Sequence, residues 1–525
     1  MGTSVAHSRG GLGDRLLSLF WRKPPATLAE RTRRRVALHL IPLLFFLYIL
    51  AYLDRVNVSV AQLTMIGPEA GIGFNREIIG LGTGIFFWGY WILEVPSTVC
   101  AVRWGARWVF APSLMLWGLC AALVGTIGMP FCSQLFQWLP GLTGWPNNPE
   151  YQFYILRFLL GFFEGAFFPT VIVYLSHWFR TQDRAKAIAG FMSAIPISSA
   201  LGSPFSGLLL KVHWGDLPGW RWIFLLEGIT PLLAGFATLF VLPDRPATAR
   251  WLPDEERAWL MGELEREHQA KKAQGHGAWR RHLGMVVLLT LVYFCLNVSS
   301  YGLSAFMPAI IQSQMNAQVA KKALPTLLPS TVGLLGSPLG QGPWLAVSAL
   351  LPGRTSISDT MASCLAALPF VVALGAMLFN GRHSDHTRER PWHVAVPLTL
   401  LSLSLVLAAE VDGLWIWPAI VMVFCVGACM YTHLPAFWPI PSMFLGATAA
   451  AAAIGFINML GNLGGSVGPT LVGKASNDTT SFAHALLLLA PWPLAGAVII
   501  LILGWVHRRA ARQTGAAAPP APVDS

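Results

Sequence analysis

The sequence predicts an all-α polytopic membrane protein with twelve transmembrane helices in two six-helix bundles, and three observations carry the prediction. Of the 525 residues, 54% are hydrophobic and only 12% are charged, the balance of a chain that lives in lipid. The apolar residues come in repeated unbroken runs of about 20, the length that crosses roughly 30 Å of hydrocarbon, rather than in one-sided stripes. A charged stretch, 242–282, separates the early runs from the late ones. A β-barrel is excluded because period-2 alternation is missing and the runs are too long and continuous.

The first bundle takes its helices from 36–60, 78–101, 106–128, 151–176, 186–210 and 221–242, and the second from 283–308, 357–380, 392–410, 414–436, 443–473 and 482–505. The expected organisation is an N-terminal segment (1–35), a first bundle (36–242), a linker (243–282), a second bundle (283–505) and a tail (506–525). The middle of the linker reads as a charged, solvent-facing helix opened by Pro253-Asp254-Glu255. Within the second bundle, 312–356 is a long extracytoplasmic insertion with room for a short hydrophobic helix. The end of the tail, GAAAPPAPVDS, is expected to be disordered. Residues 1–30 lack the apolar core of a signal peptide, so the first run is expected to direct insertion.

An even number of spans puts both termini on one face. The loops on that face hold about 27 of the 36 Lys and Arg residues, so the positive-inside rule makes it cytoplasmic. This basic face accounts for the net charge of +11 and displaces nucleic acid as the partner. A monomer in the lipid bilayer of a bacterial inner membrane is the expected state. The turns VRWGARW (102–108) and GRHSDHTRERPW (381–392) occupy corresponding places in the two halves, as do ALGSPFSG (200–207) and NLGGSVGPTLVG (462–473). Parallel six-helix repeats mark one large transporter class.

Charges inside the runs locate the candidate site. Asp54 and Arg55, in AYLDRVNVS, fall toward the outer end of the first span. Arg157 and Glu164 are seven residues apart on the fourth, about 700° round the helix, and so point the same way two turns apart. Such groups face protein or water, because lipid makes their exposure expensive. A structural charge network is the competing reading for all four. Glu94, Glu227 and His433 also lie at membrane depth; the two glutamates, single and nearer helix ends, read as structural, and the histidine as a hydrogen-bonded core residue. Arginine keeps its charge and its planar fork matches a carboxylate, whereas a buried carboxyl can load and release a proton. Two anion anchors beside two proton acceptors point to proton-coupled transport of an anion.

Other signals carry less. GLGTG (80–84) sits in an apolar span and reads as close helix packing rather than phosphate binding. The seven cysteines contain no CxxC, and neither HExxH nor a nucleophile with a spaced base is present. An enzyme is therefore not expected, nor a metal, nor any cofactor beyond protons as coupling ion.

The phrases YLDRVNVS, GYWILEVPS, LRFLLGFFEGAFFP, AIPISSALGSPFSG, WRWIFLLEG, LPDRPATARWL, GRHSDHTRER and FINMLGNLGGSVGP, spread over nearly the whole chain, resemble the anion:cation symporter family of the major facilitator superfamily, and within it the bacterial tartrate-type and phthalate-type permeases. The resemblance implies two bundles rocking about a central cavity that carries a small organic anion inward with protons. It implies Asp54 and Glu164 as proton-coupling acids and Arg55 and Arg157 as groups that hold or organise around the carboxylate. Tyr52 and Tyr90 then fall near the cavity, and Asn458 and Asn462, at i and i+4, become partners for substrate hydroxyls. Arg103, Gly105, Gly381, Asp385 and Arg388 match the superfamily's cytoplasmic gating signature in part: His386 stands where an arginine is usual, Arg388 where a glycine is, and the first copy has Val102 in place of its acid. Asp385 is then a gate-closing or helix-capping residue. An anion exporter or exchanger of the same fold, or a membrane sensor that never completes a transport cycle, remain as alternatives.

Overall fold

The computed structural model describes residues 27–67, 70–273, 283–327, 357–387, 389–410, 416–445, 447–479 and 481–513. Helix α1 (Leu28–Met65) is capped by Thr27, whose hydroxyl accepts the Glu30 amide at 3.2 Å. It runs past both ends of the predicted 36–60, which places Asp54 and Arg55 well inside the helix rather than near its end. α2 (Arg76–Trp104) and α3 (Arg107–Val124) follow; α4 (Pro149–Glu164) and α5 (Phe167–Ser176) together form the fourth span. Then come α6 (Thr181–Met192), α7 (Ala194–Leu209), α8 (Gly219–Val241) and the linker helix α9 (Asp254–Ala273). The second half is α10 (Leu283–Leu327), α11 (Asp359–Thr387), α12 (Arg390–Glu410), α13 (Ile416–Met430), α14 (Ala447–Gly461), α15 (Gly464–Ser476), α16 (Ala483–Leu489) and α17 (Pro491–Gln513).

Among the described residues, ten helical spans are long and apolar enough to cross a membrane. The two further predicted spans, 186–210 and 443–473, are each divided, as α6–α7 and α14–α15. Serine at the first break and a glycine-rich GNLGG at the second weaken the helix at those points. α10 runs on from the seventh span into the expected 312–356 insertion as far as Leu327, and 328–356 lie outside the described residues. Gln312 Nε2 donates to Asp359 at 2.6 Å, so the extended end of α10 braces the start of α11. Large apolar side chains such as Trp88, Leu201, Phe240 and Phe379 stand exposed on the perimeter, where lipid is their solvent.

Contacts between the halves concentrate at the end remote from the termini, where α2 packs on α15, α7 on α11 and α1 on α10. Small residues permit the approach. A Cβ on Gly84 would stand 2.6 Å from the Ser466 carbonyl oxygen, so the third glycine of GLGTG serves helix packing, as read from the sequence. Hydrogen bonds seal the same end: Gln62 Nε2 to the Ala305 carbonyl at 2.6 Å, Ser203 Oγ to that of Ser363 at 2.8 Å, and Arg76 Nη1 to those of Ser476 and Thr479 at 2.8 and 2.7 Å.

On the terminal face, the linker helix is docked rather than free, which corrects the solvent-facing expectation. Leu252 and Leu260 are buried in the first-half core, Trp251 stacks on His39 and Trp178, and Arg35 and Arg180 pair with Glu256 and Glu263 at 3.0 and 3.2 Å. The turn between α2 and α3 shows how its missing acid is replaced. Gly105 adopts φ +99°, open only to glycine at low cost, and Asp244, just beyond α8, fills the space behind it. The Asp244 carboxylate accepts the Arg107 amide at 2.8 Å and caps α3 from outside the motif. Asp244→Ala is expected to lower stability by about 0.5–2 kcal/mol, the usual cost of a lost cap; thermal unfolding in detergent checks it, and an unchanged melting temperature would remove the capping role.

Candidate functional site

Consecutive residues on a helix point about 100° apart, and α1 uses that step to divide its charge pair. Arg55 turns into the space between the halves. Asp54 turns into the first-half core, where its carboxylate accepts Trp117 Nε1 at 3.0 Å and Asn57 Nδ2 at 3.2 Å. Arg55 Nε donates to Glu164 Oε1 at 2.7 Å, and Arg55 Nη1 reaches the Tyr301 hydroxyl of the other half at 3.4 Å. The rings of Tyr52 and Tyr90 lie 4.8 and 5.0 Å from its guanidinium carbon, close enough for cation–π attraction. The acid on α4 thus takes its partner from α1, rather than from Arg157 on its own helix.

Two cavities meet at this arginine. The larger opens on the side nearer the termini and is lined by Arg55, Phe168, His433, Asn297, Asn458, Asn462 and six of the nine tyrosines in the chain: Tyr48, Tyr52, Tyr90, Tyr293, Tyr301 and Tyr431. The smaller lies toward the sealed end and is lined by Arg55, Arg157, Thr83, Phe86, Ser199 and Ser304. Tyr52, Arg55, Tyr301 and Tyr431 border both and form the partition. Arg157 is 1% exposed, with its guanidinium carbon 5.0 Å from the Phe86 ring centroid and with Nε and Nη1 lacking hydrogen-bond partners. Buried, unspent donors of this kind are free to meet an anion.

From the second half, Asn297 Nδ2 donates to the Gly461 carbonyl at 3.1 Å and to Asn462 Oδ1 at 3.3 Å, while Asn458 Nδ2 donates to Glu94 Oε1 at 2.5 Å. Glu94, read from sequence as structural, therefore links the halves beside the larger cavity. His433, read as a core residue, lines that cavity. Asn297, Tyr301 and Tyr431 were not singled out in the sequence. The first two left a signal: Asn297, Ser300, Tyr301 and Ser304 recur at i, i+3, i+4 and i+7, a polar stripe on an otherwise apolar helix.

The gating candidates lie apart from the cavities. Arg103 is exposed, Gly105 forms the turn already described, and Gly381 faces Pro435. Asp385 takes its partner from the next helix, accepting Arg390 Nη2 at 2.7 Å. Arg388 lies outside the described residues.

Comparison with known proteins agrees with this architecture. The family model of the Major Facilitator Superfamily matches residues 44–356. A protein of Agrobacterium vitis described as a candidate tartrate transporter is 35% identical over 93% of this chain and 95% of its own length. The inner membrane transport protein RhmT of Escherichia coli (strain K12) is 33% identical over 91% of this chain and 96% of its own. Among solved structures, the inward open conformation of the xylose transporter XylE from E. coli superposes with a TM-score of 0.60 at 14% identity, covering 89% of this chain and 96% of that one.

Proposed function

The chain belongs to the Major Facilitator Superfamily, and from that premise we propose that this multi-pass membrane transporter carries an organic carboxylate, a sugar acid or a dicarboxylate such as tartrate, inward by proton symport. The Arg55–Glu164 pair, at 2.7 Å in the partition between the two cavities, is the observation that carries the reading. One guanidinium there has two possible carboxylate partners. While Glu164 is ionised it occupies Arg55. A proton on Glu164 releases Arg55 to a substrate carboxylate, so loading the proton and binding the anion favour each other. Arg157 supplies a second positive centre on the sealed side, and Asp54 holds charge in the core behind it.

Tyr52, Tyr90 and the amides of Asn458 and Asn462 suit the hydroxyls of a sugar acid, because they offer donors and acceptors on a mostly aromatic wall. Neutralising the cavity lowers the cost of closing it around the anion, and opening toward the cytoplasm releases first the anion and then the Glu164 proton. Both termini are placed on the cytoplasmic side of a bacterial inner membrane, the chain working as a monomer. The relative described as a candidate tartrate transporter supports the substrate class.

Proteoliposomes on a solid-supported membrane test it, with sugar acids, dicarboxylates and aromatic acids offered with and without an inward proton gradient. The expected result is a saturable inward current for one hydroxy-acid class, increased by the gradient and lost in Arg157→Ala. Silence across the panel from folded protein would remove import of this class and leave export.

A further inference from the structure

Between α1, α4 and α8 the first half buries three carboxyls, Asp54, Glu164 and Glu227, beside two guanidiniums, Arg55 and Arg157. Glu164 has Arg55 at 2.7 Å. Arg157 acts on both Glu164 and Asp54. Glu227, on α8, is buried like them but is not matched by a cation of its own. Its Oε1 accepts Ser206 Oγ at 2.6 Å, Asn57 lies beside the same carboxyl, and its Oε2 is buried without a partner. Asn57 Nδ2 donates to Asp54 Oδ1 at 3.2 Å, so one amide stands between the two acids.

The surroundings of Glu227 offer no other charge to balance it. α1 brings Asp54, Asn57 and the Arg55 already paired; α7 is without charged residues; α3 carries only Arg107, at its far end; and Arg221, on α8 itself, donates to the Gly125 and Ile127 carbonyls. Glu227 is therefore left without a cation. A carboxylate buried away from water with no cation beside it carries a charge whose burial is costly, and a single proton removes it. That proton also supplies a donor where Glu227 Oε2 and Asn57 Oδ1 are acceptors without one.

We propose that Glu227 is a proton-holding residue of the transport cycle, the Asp54–Asn57–Glu227 chain keeping one proton between its two carboxyls inside the first half, apart from both cavities. This rests on the proton-coupled reading given above. In the transfer, the O–H bond of Glu227 breaks and one forms on Asp54, leaving Glu227 the anion, with Ser206 donating to Glu227 and Asn57 donating to Asp54.

Infrared difference spectra of the full-length protein in liposomes, recorded between acid and alkaline buffer without substrate, test the assignment. The wild type is expected to show a protonated-carboxyl band that shrinks in Glu227→Gln, moves in Glu227→Asp, and moves in Asn57→Leu, where the link is cut. Glu227→Gln is further expected to keep substrate exchange while its proton-driven accumulation falls, by about tenfold per unit of pH gradient for a lost proton. A purely structural residue would lower exchange and accumulation together. Spectra of Glu227→Asp and Asn57→Leu identical to wild type would overturn the proposal even if Glu227→Gln does not fold. If the wild-type band behaves as stated but no organic anion moves with protons, the transport reading fails and the carboxyl assignment stands.

Discussion

Glu164→Gln is expected to abolish uphill, proton-driven accumulation of the substrate while leaving exchange of labelled for unlabelled substrate in place. In the wild type, Glu164 holds Arg55 by a charge-assisted hydrogen bond at 2.7 Å, and the guanidinium has to change partners for an anion to bind. Glutamine keeps the shape and one acceptor oxygen but neither titrates nor carries charge. Arg55 in the variant behaves as though Glu164 were permanently protonated: ready for the anion, with no proton to carry along. A unit of pH gradient is worth about 1.4 kcal/mol per proton, so each proton lost from the stoichiometry removes about a tenfold accumulation ratio. Counterflow into preloaded liposomes, compared with uptake under an imposed gradient, separates the two readouts. Full gradient-driven accumulation in Glu164→Gln would remove this residue from proton coupling.

The helices themselves were legible because lipid imposes a simple rule: a run of apolar residues long enough to span it has to satisfy its own backbone hydrogen bonds. Where the sequence erred, a second interaction decided the outcome. The first span was drawn short because the reading stopped near Val60, whereas α1 runs through polar Gln62 and Thr64, whose side chains bond to backbone carbonyls at Ser59, Ala305 and Ala61. The linker helix looked solvent-facing because its charges are conspicuous, yet Glu256 and Glu263 are spent on arginines of the bundle. At the site, single-helix geometry rightly put Arg157 and Glu164 in one region but could not show that Glu164 would be taken by Arg55. That pairing depends on how α1 and α4 pack, and no spacing within either helix encodes it. The acid missing from the first cytoplasmic turn was likewise present in the sequence, as Asp244 in LPDRP, far away in the chain and therefore unassignable before the fold brought it near.

Arg55→Ala is expected to cost about 3–5 kcal/mol of stability, more than any other single change at the site, because it leaves Glu164 buried and unpaired. The side chain of Glu164 is only 1% exposed, so water does not reach it to compensate. Adding Glu164→Gln should return most of that loss, since the double variant buries no uncompensated charge; removing both partners of a buried pair is far milder than removing one. A double-mutant cycle on melting temperature in detergent isolates the coupling. Transport is expected to diverge from stability. Arg55→Ala and Arg55→Ala/Glu164→Gln should both fail to bind the substrate, because the centre that would hold its carboxylate is gone in each, whereas Glu164→Gln alone should bind it without a proton requirement. A double variant that regained both stability and saturable binding would show that Arg55 neutralises Glu164 and does nothing for the anion, which would leave Arg157 as the anchor. The two measurements together therefore separate the structural duty of the pair from its part in recognition, which neither activity nor stability alone can do.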